Sequence, residues 1–409
     1  MSSHVQATRR EFLHETMAGA AALAALQLES ASGFQVNDTI HIACLGTGGR
    51  CRWLMERLAQ FPNVRITAVC DIWDPHLEAG RKLADPSAVA ETDYRRLLER
   101  TDVDAVVIGS PDHWHVPMTV DACDAGKDVY VEKPLTHNLE EGDRVIEAQN
   151  RSGRIVQVGT QQRSMPHLIE ARDILRSGEL GKIHKIHMTW NRNQRRWERG
   201  QQPVALSADR WRQFLGNAPD QPFDAYRFRN WRWFWDFGGG IFTDLMVHWM
   251  DTAYWMLDLD QPASAASVGD HFATRDLWET PDTVQTLLRF PTHELQAYFE
   301  GTFINHRNRA MIEFMGSEAT LYCDRGRYEV HPEQGSRAKE RSRIDGNGDR
   351  GADFFAEVDC AFHHLVNWIE CVRSRQKPAC PAEAGVRSAA AAHLANLSLR
   401  SGAVAKWPA

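Results

Sequence analysis

The chain has 409 residues and a mass of 46.4 kDa, enough for two or three domains and a large core. Hydrophobic residues make up 43% and charged residues 25%, which excludes a disordered, collagen-like or coiled-coil chain. Basic and acidic side chains number 47 and 54, a net charge of −7 that provides no basic face and excludes nucleic acid as an expected partner. Eight cysteines form no Cys-x-x-Cys pair, so zinc-ribbon and thioredoxin readings lose support and buried free thiols are expected.

Taken in chain order, residues 1–37 are set apart from the fold. Arg9 and Arg10, with Phe12 and Leu13 behind them, precede a small-residue apolar run from Met17 to Leu26. That run is too short to span a bilayer. A charged start followed by a short apolar stretch is an export pattern, and the arginine pair resembles a twin-arginine signal. The competing reading is a cytosolic tail with a chance arginine pair. On the export reading the folded protein passes the twin-arginine machinery to the periplasm, which needs no disulfides.

Residues 38–160 read as a dinucleotide-binding domain. Thr39 to Leu45 is a buried strand, and Gly46-Thr47-Gly48-Gly49-Arg50-Cys51 follows it directly. A helix pattern then runs through Trp53, Leu54, Leu58 and Phe61, and a second strand from Arg65 to Cys70 ends in Asp71. Strand, glycine turn, helix, strand and acid together supply the context that a lone glycine motif lacks. Gly46 permits the turn, and Gly48 lets backbone approach a pyrophosphate at the helix N-terminus. Asp71 accepts the ribose hydroxyls and repels a 2′-phosphate, favouring NAD over NADP, although the Arg50 cation stands nearby. Cys51 occupies the position of the last glycine in the motif.

The alternation continues. A strand over 104–109 leads into Ser110-Pro111-Asp112-His113-Trp114-His115 and a helix to about Ala125. A strand over 129–131 leads to Glu132-Lys133-Pro134, a helix covers 139–151, and a strand over 155–159 precedes Gln161. This is a parallel, doubly wound sheet, whose ligands lie beyond the strand C-termini. Pro111, His115, Lys133 and Gln161 form one rim there.

Residues 161–409 carry the remaining signals. Eight of the fourteen tryptophans lie between 190 and 255, densest in Asn230-Trp231-Arg232-Trp233-Phe234-Trp235-Asp236. Such rings stack on sugar faces, or else pack between domains. A helix from Ile241 to Leu257 is apolar almost all round, which predicts burial. Asp244, His248 and Asp251 nevertheless share one stripe of it. They read as reacting groups or as a structural hydrogen-bond network, with Asp251 assigned to orienting neighbours. Alternating strands follow around 263–272, 284–290, 294–301, 310–315 and 320–323. Residues 335–352 read as a mobile loop, and 354–375 and 382–401 as amphipathic helices. No metal cluster stands out.

Gly46-x-Gly48-Gly49, Ser110-Pro111-x-x-x-His115, Glu132-Lys133-Pro134 and Asp244-x-x-x-His248 together resemble the Gfo/Idh/MocA oxidoreductase family over nearly the whole chain after residue 38. The resemblance implies an α/β fold: a Rossmann-type doubly wound parallel sheet, then an α/β domain on a large, mostly antiparallel open sheet for substrate binding and homo-oligomerisation. It implies NAD(P) chemistry on sugars, glycosides or cyclitols, with NAD tightly bound. Lys133, Asp244 and His248 are the expected catalytic groups. Gly46, Gly48, Gly49, Arg50, Asp71, Pro111, His115, Glu132, Lys133 and Gln161 are expected at the cofactor, and Trp231, Trp233 and Arg163 at the substrate. Asp112 stands where the family often has Asn, and no role carries over to it. Two rival functions stand beside sugar oxidation: redox-neutral, NAD-dependent glycoside cleavage, and sugar binding without catalysis.

Overall fold

The apolar runs of the first half become strands because both of their faces are covered, where β-branched and small side chains pack well. Residues 39–195, 203–353 and 359–408 are described by the computed structural model, and the export segment expected over 1–37 lies outside them. The first strands are β1 (Ile40–Leu45), β2 (Val64–Cys70), β3 (Val89–Glu91), β4 (Ala105–Ile108), β5 (Asp128–Val131) and β6 (Val156–Val158). They form a parallel sheet in the order β3-β2-β1-β4-β5-β6. The order reverses between β1 and β4, and a crevice opens beyond the strand C-termini at such a point. β3 is absent from the sequence reading because Val89-Ala90-Glu91 is too short to show a period.

The second sheet uses β7 (Ile183–Asn191), β8 (Ser264–Asp270), β9 (Thr283–Phe290), β10 (Leu295–Thr302), β11 (Ala310–Gly316), β12 (Ala319–Cys323), β13 (Arg327–Pro332), β14 (Arg341–Ile344) and β15 (Ala405–Lys406). Their order is β14-β13-β12-β11-β7-β10-β9-β8-β15. Every pairing is antiparallel except β7 with β10. The doubly wound sheet and the large, mostly antiparallel one are therefore both present. Central β7 went unread because His184, Lys185 and His187 interrupt the apolar positions Ile186, Met188 and Trp190. The loop expected over 335–352 is corrected in part: Arg341–Ile344 pairs with β13, the hydrogen-bond ladder prevailing over a charged sequence.

The helix Ala382–Ser401 has the expected bounds, and the helix Cys360–Ser374 lies within the expected 354–375. Together they bind the two sheets. Val158 N donates to Cys380 O at 2.9 Å, and Gln157 Nε2 donates to His364 O at 2.6 Å. Cys380 and Ala382 pack in the core of the first sheet, while Ala391, Ala392 and Leu394 pack in that of the second. All eight cysteines are reduced and buried.

Candidate active site

The glycine turn fits a dinucleotide on three observations. Gly46 has φ +77°, and a Cβ there would come within 2.7 Å of Ser110 N. The helix Gly49–Leu58 begins at Gly48 with no side-chain cap and no acid in its first turn, so its N–H donors are left for an anion. A Cβ on Gly49 would meet nothing within 4 Å, so the backbone borders open space. The glycine displaced by Cys51 is compensated across the sheet: a Cβ on Gly109 would lie 2.7 Å from Cys51 Cβ. Close packing of helix on strand survives because the glycine sits on the strand.

Asp71 stands at the end of β2 and lines the same cavity, of about 330 Å³, as Gly46, Gly48 and Pro111. Its Oδ1 accepts from Trp73 N at 2.9 Å, and its Oδ2 lies 3.5 Å from His76 Nδ1. Arg50 also lines this cavity, and its Nε donates to Glu132 Oε1 at 2.7 Å. Arg95 and Arg229 also line this cavity, engaged respectively by Asp93 and by the face of Trp73.

A second cavity, of about 790 Å³, adjoins the first through the shared lining of Gly49, Arg50, Ser110, Trp231 and Arg232. Lys133, Asp244 and His248 meet in its wall. Lys133 Nζ donates to Asp244 O at 2.7 Å and to Asp244 Oδ1 at 3.1 Å. Arg232 Nε donates to the same Oδ1 at 3.2 Å. Asp244 lies in a π-helical stretch, Phe242–Met246, that leads into the helix Val247–Leu257. The spacing predicted one continuous α-helix here. The widened turn changes the phase of Asp244 relative to His248, and such turns cluster at functional sites.

His248 is buried, and burial together with Lys133, Arg325, Arg50 and Arg192 holds its imidazole well below the usual histidine range. Its Nδ1 lies 3.4 Å from an Arg325 guanidinium nitrogen, at the long end for a hydrogen bond. The structure gives the Asp244 carboxylate to Lys133 and Arg232 and surrounds the buried ring with cations, so the neutral imidazole prevails.

The rest of the rim positions these groups. Burial would raise the Glu132 carboxyl, but Arg50 and Lys133 outweigh it and hold it below the usual range. Gln161 Nε2 donates to Tyr130 Oη at 3.0 Å and lies 3.3 Å from Glu132 Oε1. His115 has Nδ1 2.6 Å from Pro134 O and Nε2 3.0 Å from Ser110 O. Burial lowers this imidazole to about 4. The neutral ring has one N–H, so it donates to only one of these two carbonyls while packing between the loop after β4 and the Lys133–Pro134 segment.

Two expected substrate residues are not at the cavities. Trp233 is in the core, stacked on Trp278 at 4.4 Å between centroids and edge-on to Phe303. Arg163 gives Nε and a terminal nitrogen to the two oxygens of Asp251, at 2.7 and 2.8 Å. Both side chains of that pair are buried. Trp231, by contrast, lines both cavities, with Arg232 over its ring. The packing and the exposed roles of the tryptophan cluster therefore fall on neighbouring residues.

The sequence reading missed Arg232, Arg325 and Asp112. Arg232 had no signal beyond the aromatic cluster around it. Arg325 sits in the turn between β12 and β13, where a charged residue reads as a solvated hairpin tip. That turn is folded inward instead, and burial lowers the Arg325 guanidinium to about 10.

Residues 40–160 match the family described as an oxidoreductase family with an NAD-binding Rossmann fold, and residues 210–329 match the GFO/IDH/MocA C-terminal domain. The chain belongs to the Gfo/Idh/MocA oxidoreductase family. The protein is thus an oxidoreductase with an NAD-binding domain. It is 25% identical over 375 residues to the oxidoreductase YrbE of Bacillus subtilis, covering 88% of this chain and 94% of that one. It is 24% identical over 370 residues to a myo-inositol 2-dehydrogenase of Thermotoga maritima, covering 88% and 96%. A levoglucosan dehydrogenase solved with NADH and levoglucosan shares the fold, with a TM-score of 0.71, 16% identity and coverage of 91% and 100%. This Gfo/Idh/MocA member thus has the two-sheet architecture over its described length.

Proposed function

We propose that the protein transfers a hydride between NAD and a secondary alcohol carbon of a sugar, glycoside or cyclitol, with Lys133, Asp244 and His248 as the reacting groups. The observation that carries this reading is the Lys133–Asp244 ion pair beside His248, in a cavity that opens onto the glycine turn. The relatives acting on myo-inositol and levoglucosan support the substrate class.

Bound NAD supplies the two-electron acceptor, leaving the hydroxyl proton to the protein. Lys133 donates a hydrogen bond to the substrate oxygen and stabilises it as charge develops. His248, held neutral, accepts the proton. The cations around it make it a weak base and a strong conjugate acid, so the proton is readily passed on to solvent. Asp244 keeps the Lys133 ammonium aimed. Asp71 supports NAD over NADP, and Asp71→Ala narrows that preference.

We further propose tight retention of NAD, homo-oligomerisation through the second sheet, and export to the periplasm by the Arg9–Arg10 signal. A panel of myo-inositol, levoglucosan, D-glucose and a p-nitrophenyl glycoside tests the chemistry through the reduced-nicotinamide absorbance. A lasting rise with one of them means net oxidation. Released p-nitrophenol without that rise favours redox-neutral cleavage, and neither response favours sugar binding without catalysis.

A further inference from the structure

Asp112 is the residue to which the family pattern assigns nothing. It follows β4 in the Ser110-Pro111-Asp112 loop, is 5% exposed, and lines the larger cavity but not the smaller one. Its carboxyl oxygens make no hydrogen bond to any described residue. A buried carboxyl left without a partner costs stability, and native proteins keep such groups where a ligand supplies the partner.

Its neighbours come from three elements. Arg232 lies within the short turn Trp231–Trp233, Lys133 and Glu132 follow β5, and Asp244 lies in the π-helical stretch. Burial pushes the Asp112 carboxyl up to about 8, against Arg232 and Lys133 and together with Asp244 and Glu132.

We propose that Asp112 is a substrate-contacting residue of this cavity, its carboxyl accepting hydrogen bonds from neighbouring hydroxyls of a polyol and so fixing which carbon faces Lys133 and His248. The proposal rests on the sugar-oxidising reading above. Neighbouring hydroxyls suit a carboxylate because its two oxygens accept in parallel. An amide in its place would keep only one such oxygen and add a donor. Charge-assisted bonds are the stronger ones, so the ionised carboxylate holds the diol more tightly than the neutral acid.

The test compares Asp112→Asn and Asp112→Leu with the wild type, using whichever of the four panel compounds is oxidised. Asp112→Leu should raise the sugar KM about ten- to a hundredfold while the Kd for NADH stays within about twofold. In the wild type the sugar KM should fall as pH rises through about 8, and in Asp112→Asn that dependence should vanish. The unliganded Asp112→Asn variant should also melt higher than the wild type at pH 7, because the native acid must hold a proton that the unfolded one releases, and the amide need not. A carboxyl that only supports the fold would give a lower melting temperature instead.

An unchanged sugar KM in both variants overturns the proposal. A weakened NADH affinity with normal sugar KM also overturns it, and places Asp112 at the cofactor. If the wild type oxidises none of the four compounds, the functional reading itself fails. If it oxidises one and both variants match it, only the role of Asp112 fails.

Discussion

The two halves of the protein build their share of the site in different ways. In the first half, the groups expected at the cofactor lie within a few residues of a strand end: Gly46 after β1, Asp71 after β2, Pro111 after β4, Lys133 after β5. A parallel sheet brings those ends to one edge by its topology alone. In the second half, Trp231, Asp244, His248 and Arg325 come from a short turn, a π-helical stretch, an α-helix and a hairpin turn. Only packing brings these together, and the same packing decides which tryptophan or arginine reaches the cavity. Local motifs are thus a good guide to the first region and a poor one to the second.

The largest expected effect separates reaction from cofactor binding, and so the two halves. His248→Ala should lower turnover about 10²–10⁴-fold, with NADH affinity retained because the glycine turn is untouched. Lys133→Ala should also slow turnover, but raising the pH should rescue only His248→Ala, where hydroxide can replace a base. Equal rescue of both would mean that their roles are wrongly divided.

Arg163 and Asp251 test whether the second half uses its buried charges for structure. Arg163→Ala leaves Asp251 buried without its cation and should cost about 3–5 kcal/mol in denaturant unfolding. Replacing both, as Arg163→Met with Asp251→Leu, should recover most of that loss. A folded Arg163→Ala variant with normal stability and a raised sugar KM would return Arg163 to the substrate.

The tryptophans sharpen the comparison within a single turn. Trp233→Ala removes a core ring and should destabilise by about 3–5 kcal/mol. Trp231→Ala should change stability by less than about 0.5 kcal/mol, while raising the sugar KM or the Kd for NADH. Melting curves and steady-state kinetics on the two variants measure both arms.

Smaller effects come from pH. The acid limb of oxidation should lie well below 6.5, because a base must be neutral and the cations keep His248 so. Arg325→Gln removes one of those cations and should move the limb to higher pH in the kcat profile. Stability carries a separate signature. His113 and His393 are lowered to about 3 and His115 and His364 to about 4, each chiefly by burial, from an ordinary 6.5. The unfolded chain therefore binds protons that the native one does not as pH falls below 6.5. Stability should be lost progressively from there to about 3, which thermal melts at stepped pH will record.

The sequence by itself determined the doubly wound sheet and the glycine turn with its acid, and it singled out Lys133 and His248, which the structure places in the wall of one cavity. Period, turn glycines and strand-end residues are local quantities, and a parallel sheet converts them into position without further information. The second sheet was legible as strands, yet its central strand β7 was hidden by histidines and a lysine among its apolar residues. Only the tertiary structure decided that Trp233 packs inward while Trp231 faces the cavity, that Arg163 is held by Asp251, and that Asp244 serves Lys133 rather than His248. It also decided that Arg325 and Asp112 are buried at the site. Whether a charged or aromatic side chain is solvated, paired or left facing a cavity depends on which distant segments pack around it, and no local period encodes that.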